Sequence, residues 1–345
     1  MAVTVISSAH SLAAKLWSKT LMRDTMAKTW YRKLMGEGSN SVIQILPETN
    51  RSKGDKITYG LRMQLSGTGK TGQSVLEGEE EELSFYSASL FIDYMRHAVR
   101  VDLSISQQRT EYDLRREARD ALSDWWAKRI DTYLFNYLAG DTNMTFAGNT
   151  GTAPDSDHWI FPTGVSAENT ITTSNVFTLS MIDEAVLKAK TASPLIRPVR
   201  VDGDDYWVVI LHPKQVHDLR TSTASGSWLD LQKAAMTGQG QKDNPIWKGS
   251  LGTYNGCIIY ESNNVHSGGY GATGTTVYRA LLLGAQAGVV AFGQQGGVDQ
   301  FSWVEKTFDY GKDLGIAASL IWGVQKTIFN NKAYATLVLS SASSA

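Results

Sequence analysis

Residues 56–65 alternate strictly between apolar and polar or small side chains, which is typical of a β-strand with one solvated face. The apolar positions are Ile57, Tyr59, Leu61, Met63 and Leu65. After a Gly/Ser/Thr/Lys segment, a second strand-like run has Leu83, Phe85, Tyr86, Leu90 and Ile92 as its apolar residues. The two runs predict a long hairpin. Ten extended residues reach about 33 Å, so we expect the hairpin to protrude and to contact a partner.

A helical pattern dominates the segment that ends at Ala139, where large apolar residues recur every three or four positions. Ser104, three residues before a glutamine, is the candidate N-cap, and Gly140 ends the pattern. The predicted helix of about 34 residues would be roughly 50 Å long. Neighbouring side chains on a helix point about 100° apart, so either Trp125 or Trp126 should be buried and the other should lie at the edge of the core or reach a second subunit.

Shorter patterns fill the rest of the chain. The predicted helices are an amphipathic one at 12–35 with a modest packing surface, one from its cap Ser180 to Lys190, one opened by His212-Pro213 and one at 228–236. A loop or insertion is predicted at 141–175. The predicted strands are a buried one at 206–211, strands in 244–261 and 277–292, and strands in 301–339 interrupted at Gly311, Gly315 and Gly323.

Composition and charge narrow the class of protein. The chain has 345 residues, of which 42% are hydrophobic, enough to fill a sizeable core. Its formal net charge of -1 argues against a dedicated nucleic-acid-binding protein. The N-terminal 36 residues are nevertheless locally basic, with six lysines and arginines against one acidic residue. No stretch is apolar and long enough to span a bilayer and no signal-peptide pattern is present, so we expect a soluble protein without membrane association.

The segment Gly67–Gly72 satisfies the G-x-G-x-x-G pattern of a nucleotide-binding loop. The ATPase form of that loop is incomplete, because Gln64 stands where its first glycine is needed. A dinucleotide site needs a buried parallel strand before the loop and a helix after it. Here an alternating strand precedes the loop and a run of glutamates follows it. A nucleotide-dependent enzyme using this loop is therefore kept only as an unfavoured alternative.

No other constellation predicts chemistry. The single cysteine, Cys257, lies in an apolar strand-like run, which favours a buried, inert thiol in a reducing compartment. His212 and His217 are five residues apart and do not share a helix face, and there is no cysteine cluster to complete a metal site. We expect no enzyme activity, no cofactor and no metal.

Eight segments, in order along nearly the whole chain, carry a resemblance to a known family. They are GDKITYGLRMQLSGTGKTG at 54–72, LEGEEEELSF at 76–85, RHAVR at 96–100, YDLRREARDALSDWWAKRID at 112–131, LHPKQVHDLR at 211–220, WKGSLGTYNGCIIYES at 247–262, ALLLGAQAGVVAFG at 280–293 and DYGKDLGIAASLIWGVQKTIFN at 309–330. In these segments the chain resembles the major capsid proteins of tailed bacteriophages, in particular the coat protein family of the N-four-like phages.

The resemblance implies the α+β fold that tailed-phage shells share with encapsulins, with a spine helix at Ser106–Ala139 and an extended loop from Lys56 to about Ile92. The implied parts are an N-terminal arm at 1–50, an extended hairpin loop at 51–95, a peripheral domain with the spine helix and an insertion at 96–177, an axial domain at 178–297, and terminal strands at 298–345 that return to the peripheral domain.

The implied function is that of a major capsid protein that self-assembles, in hexamers and pentamers of identical subunits, into an icosahedral shell around phage DNA. Assembly would take place in the host bacterial cytoplasm, with a separate scaffolding protein, a portal and a possible decoration protein. An encapsulin-like compartment shell is the alternative within the fold. The candidate intersubunit residues are Lys56, Arg62, Lys70, Glu79, Glu80, Glu81, Arg109, Arg115 and Arg116; the candidates facing the packaged DNA, bound without sequence specificity, are Lys15, Lys19, Arg23 and Lys28.

Overall fold

The computed structural model describes residues 11–46, 55–62, 65, 67, 69–72, 77–78, 80–83, 85–102, 105–192, 195–201, 203–222, 252–293 and 301–344. Glu79, Ser104 and the helix expected at 228–236 lie outside these residues. The helices are α1 Ser11–Lys28, α2 Ile105–Arg109, α3 Leu114–Ala139, α4 Leu179–Thr191 and α5 Pro213–Thr221. The strands are β1 Met35–Gly36, β2 Ile43–Leu46, β3 Lys56–Arg62, β4 Phe85–Phe91, β5 Asp93–Asp102, β6 Thr145–Phe146, β7 Asn149–Thr150, β8 Trp159–Ile160, β9 Val199–Val201, β10 Asp204–Leu211, β11 Thr253–Tyr254, β12 Cys257–Glu261, β13 Ser267–Gly268, β14 Val277–Leu283, β15 Gly288–Phe292, β16 Ser302–Phe308, β17 Asp313–Lys326, β18 Ile328–Phe329, β19 Lys332–Ala333 and β20 Thr336–Ser341.

Two mixed sheets form the body of the molecule. The first, which we call the peripheral sheet, has the strand order β1-β2-β15-β17-β16, and β5 also pairs with β17. The second, the central sheet, has the order β11-β12-β10-β14-β20-β8, with β9 and β13 paired to β10 and β14. β16 and β17 lie in the first of these sheets, whereas β20 lies in the second. Helices combined with mixed sheets make this an α+β fold, as predicted.

The helix α3 is the centre of the packing. It lies against α1, β5 and β17, and its C-terminal end reaches β14 of the central sheet. Trp126 is fully buried, with its ring 4.9 Å from that of Phe301. Trp125 is half-buried and stacks on His97 of β5 at 4.2 Å. The prediction that one tryptophan is buried and the other lies at the edge of the core is confirmed.

The predicted continuous spine helix over 106–139 is wrong, because the chain leaves the helical conformation between Arg109 and Leu114. Asp113 has extended backbone angles, and its carboxylate accepts hydrogen bonds from two backbone N–H groups in the first turn of α3. An aspartate in this position caps a new helix and competes with continuation of the preceding one. The hydroxyl of Thr110 also bonds back to the carbonyl of Ser106.

The N-terminal segment is more firmly attached than its sequence pattern predicts. The helix expected to reach Met35 ends at Lys28, and a short 3-10 helix, Trp30–Leu34, follows it. Leu21 and Tyr31 are fully buried, so the packing surface is substantial rather than modest. The two short strands β1 and β2 then enter the peripheral sheet beside β15. Much of this segment is therefore part of the folded body.

Three further expectations depend on local backbone geometry. His212 caps α5 and Pro213 occupies its first turn, as predicted. Ser180 does not cap α4, because the helix begins at Leu179 after Thr178. Gly315 and Gly323 lie inside β17 instead of interrupting it. A Cβ atom on Gly315 would lie 2.7 Å from the Phe308 ring, so these glycines permit close approach rather than a turn.

Candidate functional site at the protruding hairpin

The hairpin predicted from the alternating pattern is present. β3 and β4 pair antiparallel from Lys56 opposite Phe91 to Arg62 opposite Phe85. Among the described strands they pair only with each other, as a two-stranded sheet separate from both larger sheets. The regular strand is shorter than expected, because Leu65 is not part of β3. Seven paired positions still extend the hairpin by about 24 Å from its base.

The base of the hairpin is fixed to the rest of the chain. The buried side chain of Asn149 accepts a hydrogen bond from the Phe91 N–H at 3.0 Å and donates one to the Phe91 carbonyl at 2.7 Å. Leu90 is fully buried, and the Tyr59 ring lies 5.9 Å from that of Phe329. The side chain of Asn149 thus supplies the two bonds that a neighbouring strand would make.

Cover over the hairpin's apolar face stops partway along its length. Near the base, Ile57, Tyr59 and Leu61 pack against the core. Towards the tip the exposure is high. The large apolar residues there, which we call the tip patch, are Leu65 at 56%, Leu83 at 49%, Phe85 at 66% and Tyr86 at 37% exposed. Phe85 and Tyr86 are consecutive in β4 and point to opposite faces, so exposed apolar side chains lie on both faces of the hairpin near its tip. Large apolar side chains concentrated at a protein surface mark an interaction surface.

The glycine-rich segment at the tip is organised by glutamates. The Glu81 carboxylate accepts a hydrogen bond from the Gly67 N–H at 2.7 Å, and Glu80 accepts one from the Gly78 N–H at 2.8 Å. A carboxylate thus already occupies a donor that a phosphate would use. The described residues between Leu65 and Leu83 include no helix that could direct N–H groups at a pyrophosphate. The structural context of a nucleotide-binding loop is therefore not met.

The predicted intersubunit residues fall into two groups. Lys56, Arg62, Lys70, Glu80 and Glu81 lie on the hairpin, and Arg109, Arg115 and Arg116 lie around the break between α2 and α3. Arg109 and Arg116 are exposed. Arg115 instead forms a salt bridge within the chain, 2.6 Å from a Glu305 carboxylate oxygen that also accepts a hydrogen bond from the indole of Trp303. The charge of Arg115 is thus already engaged with β16.

The basic residues predicted to face DNA lie on α1. Lys19 and Arg23 are exposed, and the Arg23 guanidinium lies 3.5 Å from the Asp24 carboxylate. Lys28 reaches Asp124 of α3 at 2.5 Å, so it also helps to hold α1 in place. Lys15 lies in the same helix. Lys19 and Arg23 are four residues apart and lie on the same side of α1, whereas Lys28 is directed to α3.

A buried carboxylate attaches the N-terminal segment to α3. Asp131 accepts hydrogen bonds from the backbone N–H groups of Trp30 at 2.8 Å and Tyr31 at 3.3 Å. Burial raises the pKa of Asp131 to about 6, although both hydrogen bonds act in the opposite direction. The residue therefore serves as a docking point whose charge changes in mildly acidic solution.

One buried ion pair was not anticipated from the sequence. Arg279 of β14 contacts both carboxylate oxygens of Glu168, at 2.7 and 2.6 Å, and its remaining nitrogen lies 3.3 Å from the carbonyls of Ala139 and Gly140 at the end of α3. Ser340 of β20 also donates to Glu168. Arg279 thereby joins the spine helix to the central sheet. Its partner is 111 residues away in sequence, so no local pattern could reveal the pair.

Residues for other chemistry are not assembled in the described part of the chain. Cys257 is fully buried, and burial raises the pKa of its thiol to about 12, as expected of an inert cysteine. The described residues contain no group of three or more histidine, cysteine or acidic side chains placed to hold a metal ion. None of the described helices combines the length and apolarity needed to cross a membrane.

Comparisons with known proteins point to a single class. The sequence profile of the family described as phage capsid protein matches residues 5–344. The chain is 29% identical to the major capsid protein of Pseudomonas phage KPP25, over 91% of this chain and 89% of that protein. Its fold is similar to the capsid of Ralstonia phage GP4, with a TM-score of 0.81 and 31% identity over 99% of this chain and 98% of that one. The Cyanophage Pam1 capsid has a TM-score of 0.74 and 20% identity over 92% and 93% of the two chains, a likeness of fold alone.

Proposed function

Because the chain belongs to the phage capsid protein family, we propose that its protruding hairpin is the element by which one subunit of the shell holds the next. The protein is a structural subunit of a phage capsid. The tip patch carries the proposal, since it exposes four large apolar side chains on a hairpin whose base is fixed. A solitary protein normally avoids such a surface, and a neighbouring subunit would cover it.

The energy of each contact would be modest and the sum large. Full burial of a side chain such as Phe85 or Leu83 against a neighbour is worth roughly 1.5 to 3 kcal/mol. The surface that receives a hairpin differs from the hairpin, so the contact is head-to-tail and closes into rings. Each subunit of a ring then both gives and receives a hairpin. Multivalency makes the assembled shell far more stable than any one contact.

We also propose the wider assembly that the family membership supports. Identical subunits would form hexamers and pentamers of an icosahedral shell, built in the host bacterial cytoplasm with a separate scaffolding protein and a portal, and with room for a decoration protein. The peripheral sheet with α3 would correspond to the peripheral domain. The central sheet with α4 and α5 would correspond to the axial domain at the centre of each capsomer.

The basic surface of α1 would face packaged DNA and bind it without sequence specificity. Neutralising phosphates requires lysine and arginine, and the N-terminal segment is the locally basic part of the chain. Reversing Lys15, Lys19 and Arg23 to glutamate should lower the DNA content of particles or impair their assembly. Unchanged packaging and unchanged particle yield together would contradict this role.

The alternatives to a viral shell have less support. The matching family and the similar structures are phage capsids, which favours a phage shell over an encapsulin-like compartment. The nucleotide-dependent enzyme lacks the strand and helix context that its loop requires. We propose that the protein has a structural function, without enzyme activity, cofactor or membrane contact.

Shortening the hairpin tests its role. Residues 63–84 are replaced by Asn-Gly, which joins the paired residues Arg62 and Phe85 through a two-residue turn. We expect a folded, soluble subunit that forms no closed shells in negative-stain images or in sedimentation. In the matched control, residues 67–69 and 71–72 are replaced by glycine and serine while Lys70 and the apolar tip residues stay, and shells should form. Closed shells of normal stability from the shortened variant would contradict the proposal.

A further inference from the structure

The turn between β11 and β12 carries the only Asn-Gly dipeptide of the sequence, Asn255-Gly256. Tyr254 pairs with Cys257 across the two strands, so the turn has two central residues. Both have positive φ angles, 46° at Asn255 and 73° at Gly256. These are the features of a type I′ turn, for which Asn-Gly is a preferred sequence. Asn255 is exposed to solvent.

Asn-Gly is also a dipeptide at which protein chains readily deamidate, because glycine has no side chain to shield its backbone nitrogen. In that reaction the Gly256 nitrogen bonds to Cγ of Asn255, the Cγ–Nδ2 bond breaks, and the proton lost by the nitrogen leaves with the amide as ammonia. Water then opens the five-membered succinimide ring at either carbonyl, which gives aspartate or isoaspartate. The exposed turn therefore needs only solvent water to be modified.

The backbone of the turn opposes this reaction. Ring closure requires the Gly256 nitrogen and the Asn255 side chain to lie on the same side of the Cα–C bond of Asn255. In the left-handed region that Asn255 occupies, ψ is about +30 to +60°. That angle turns the Gly256 nitrogen away from Cβ of Asn255. The turn must therefore open before the ring can close.

The side chain of Asp183 in α4 holds the turn closed. Nδ2 of Asn255 donates a hydrogen bond to one carboxylate oxygen of Asp183 at 2.9 Å, and the hydroxyl of Tyr254 donates to the other at 2.9 Å. One carboxylate thus fixes two consecutive residues of the hairpin. The helix that carries it is firmly packed, since the adjacent Met181 and Ile182 are buried.

The negative charge of Asp183 is a second obstacle to deamidation. The attacking Gly256 nitrogen must lose a proton, and the amide oxygen of Asn255 becomes negative as the new bond forms. A carboxylate in hydrogen-bond contact with the same amide disfavours both changes, because like charges repel. Geometry and charge therefore act in the same direction.

We propose that Asn255 is a latent deamidation site and that Asp183 is the residue that keeps it unreactive. Deamidation would place a second carboxylate against Asp183, where the two charges repel. Isoaspartate would also lengthen the backbone of the turn and disturb the bond from the Trp207 N–H to the Gly256 carbonyl at 2.9 Å. The damage would thus reach β10 in the central sheet, in a shell subunit that is not replaced after assembly.

Mass spectrometry of the peptide that contains Asn255 measures the reaction, because exchange of the amide for a carboxyl group raises the peptide mass. Chromatography separates aspartate from isoaspartate. The full chain is incubated in mildly alkaline buffer, once folded and once unfolded in guanidinium. The folded chain should react at least about tenfold more slowly than the unfolded chain, because the turn must open locally first.

Replacing Asp183 with alanine tests the assigned residue. Asp183→Ala should raise the rate in the folded chain by about tenfold, the factor expected when a hydrogen bond to a charged group is lost. The matched control is Glu184→Ala, which removes the neighbouring exposed carboxylate of α4, directed to Lys188 instead of the turn. The control should react at the natural rate. Unfolding curves establish that each variant is folded.

Two results would overturn the proposal. One is a folded natural chain that deamidates at Asn255 as fast as the unfolded chain. The other is a folded Asp183→Ala variant that reacts at the natural rate. Should Asp183→Ala not fold, the isosteric Asp183→Asn takes its place, since a neutral amide makes a weaker bond to Asn255. An unchanged rate in that variant would equally overturn the role of Asp183.

Discussion

The strand β4 contains two regions of opposite character only five residues apart. Leu90 near the base is fully buried, whereas Phe85 near the tip is 66% exposed. Both are large apolar residues in one strand, and the same partner strand pairs with both. The two side chains point to opposite faces of the hairpin, because five residues separate them in the strand, and the core covers only the basal part of the face that carries Leu90. Burial within one chain therefore separates the residues that stabilise the subunit from those available to hold subunits together.

The buried ion pair between Arg279 and Glu168 should give the largest effect on subunit stability. Replacing Arg279 with methionine leaves the Glu168 carboxylate buried and unpaired, which should cost about 3 to 5 kcal/mol of unfolding free energy. Replacing Glu168 with leucine as well should restore most of that loss. Urea unfolding of the unassembled subunit measures both. A loss no larger than that of Lys332→Ala, which removes an exposed pair with Asp157, would show that the link is not important.

The two adjacent tryptophans sharpen the contrast between core and edge. Trp126→Ala should cost about 3 to 5 kcal/mol, because it leaves a cavity beside Phe301. Trp125→Ala should cost about 1 to 2 kcal/mol, since that ring is half-buried and loses mainly its stacking on His97. The difference between the two unfolding free energies is the test. Equal costs would mean that the edge position is as structural as the core position.

Asp131 predicts a dependence on pH with a definite sign. Its pKa is about 6 in the folded chain against an ordinary value of 3.8, so the folded state binds more protons between these values. Its contribution to stability is therefore fully present below about pH 4 and is lost as the pH rises through 6. Asp131→Asn should remove that loss, and the difference in unfolding free energy between variant and natural protein should grow from pH 4 to 7. A difference that is constant with pH would contradict the raised pKa.

The smallest effect on subunit stability should come from the tip patch. Phe85→Ser together with Leu83→Ser should change the unfolding free energy of the unassembled subunit by less than about 0.5 kcal/mol. Their shells should dissociate at lower denaturant concentration or should not form. Leu90→Ala in the same strand is the matched control, with an expected cost of about 2 to 5 kcal/mol. A comparable loss of subunit stability from the tip variant would remove the distinction between the two ends of β4.

What the sequence predicts well is local. The alternating run before the glycines predicts the hairpin, the adjacent Trp125 and Trp126 predict where the core ends, and His212-Pro213 predicts the start of α5. Each of these signals lies within a few residues. The break before Leu114 also has a local cause, the cap formed by Asp113. It was not predicted, because an aspartate within a charged helical pattern can equally be an ordinary residue of a continuous helix.

What the sequence does not predict depends on distant partners. Arg279 resembles any arginine in a strand until Glu168 is brought to it by the fold. Part of the cover over Ile57 and Tyr59 comes from Val289, Ala291 and Phe329, more than 200 residues later in the chain, so the hairpin's pattern could not indicate where exposure begins.

The two hydrogen bonds made by Asn149 fix the hairpin at its base, so the hairpin resembles a beam that is held at one end. A force on the tip acts through an arm of about 24 Å, so the greatest bending moment falls at the base. The two hydrogen bonds to Phe91 lie at the base of the hairpin and connect it to β7 and the body of the subunit. A load on the tip would therefore be limited by the strength of the base, where Asn149 holds Phe91, rather than by the strength of the tip.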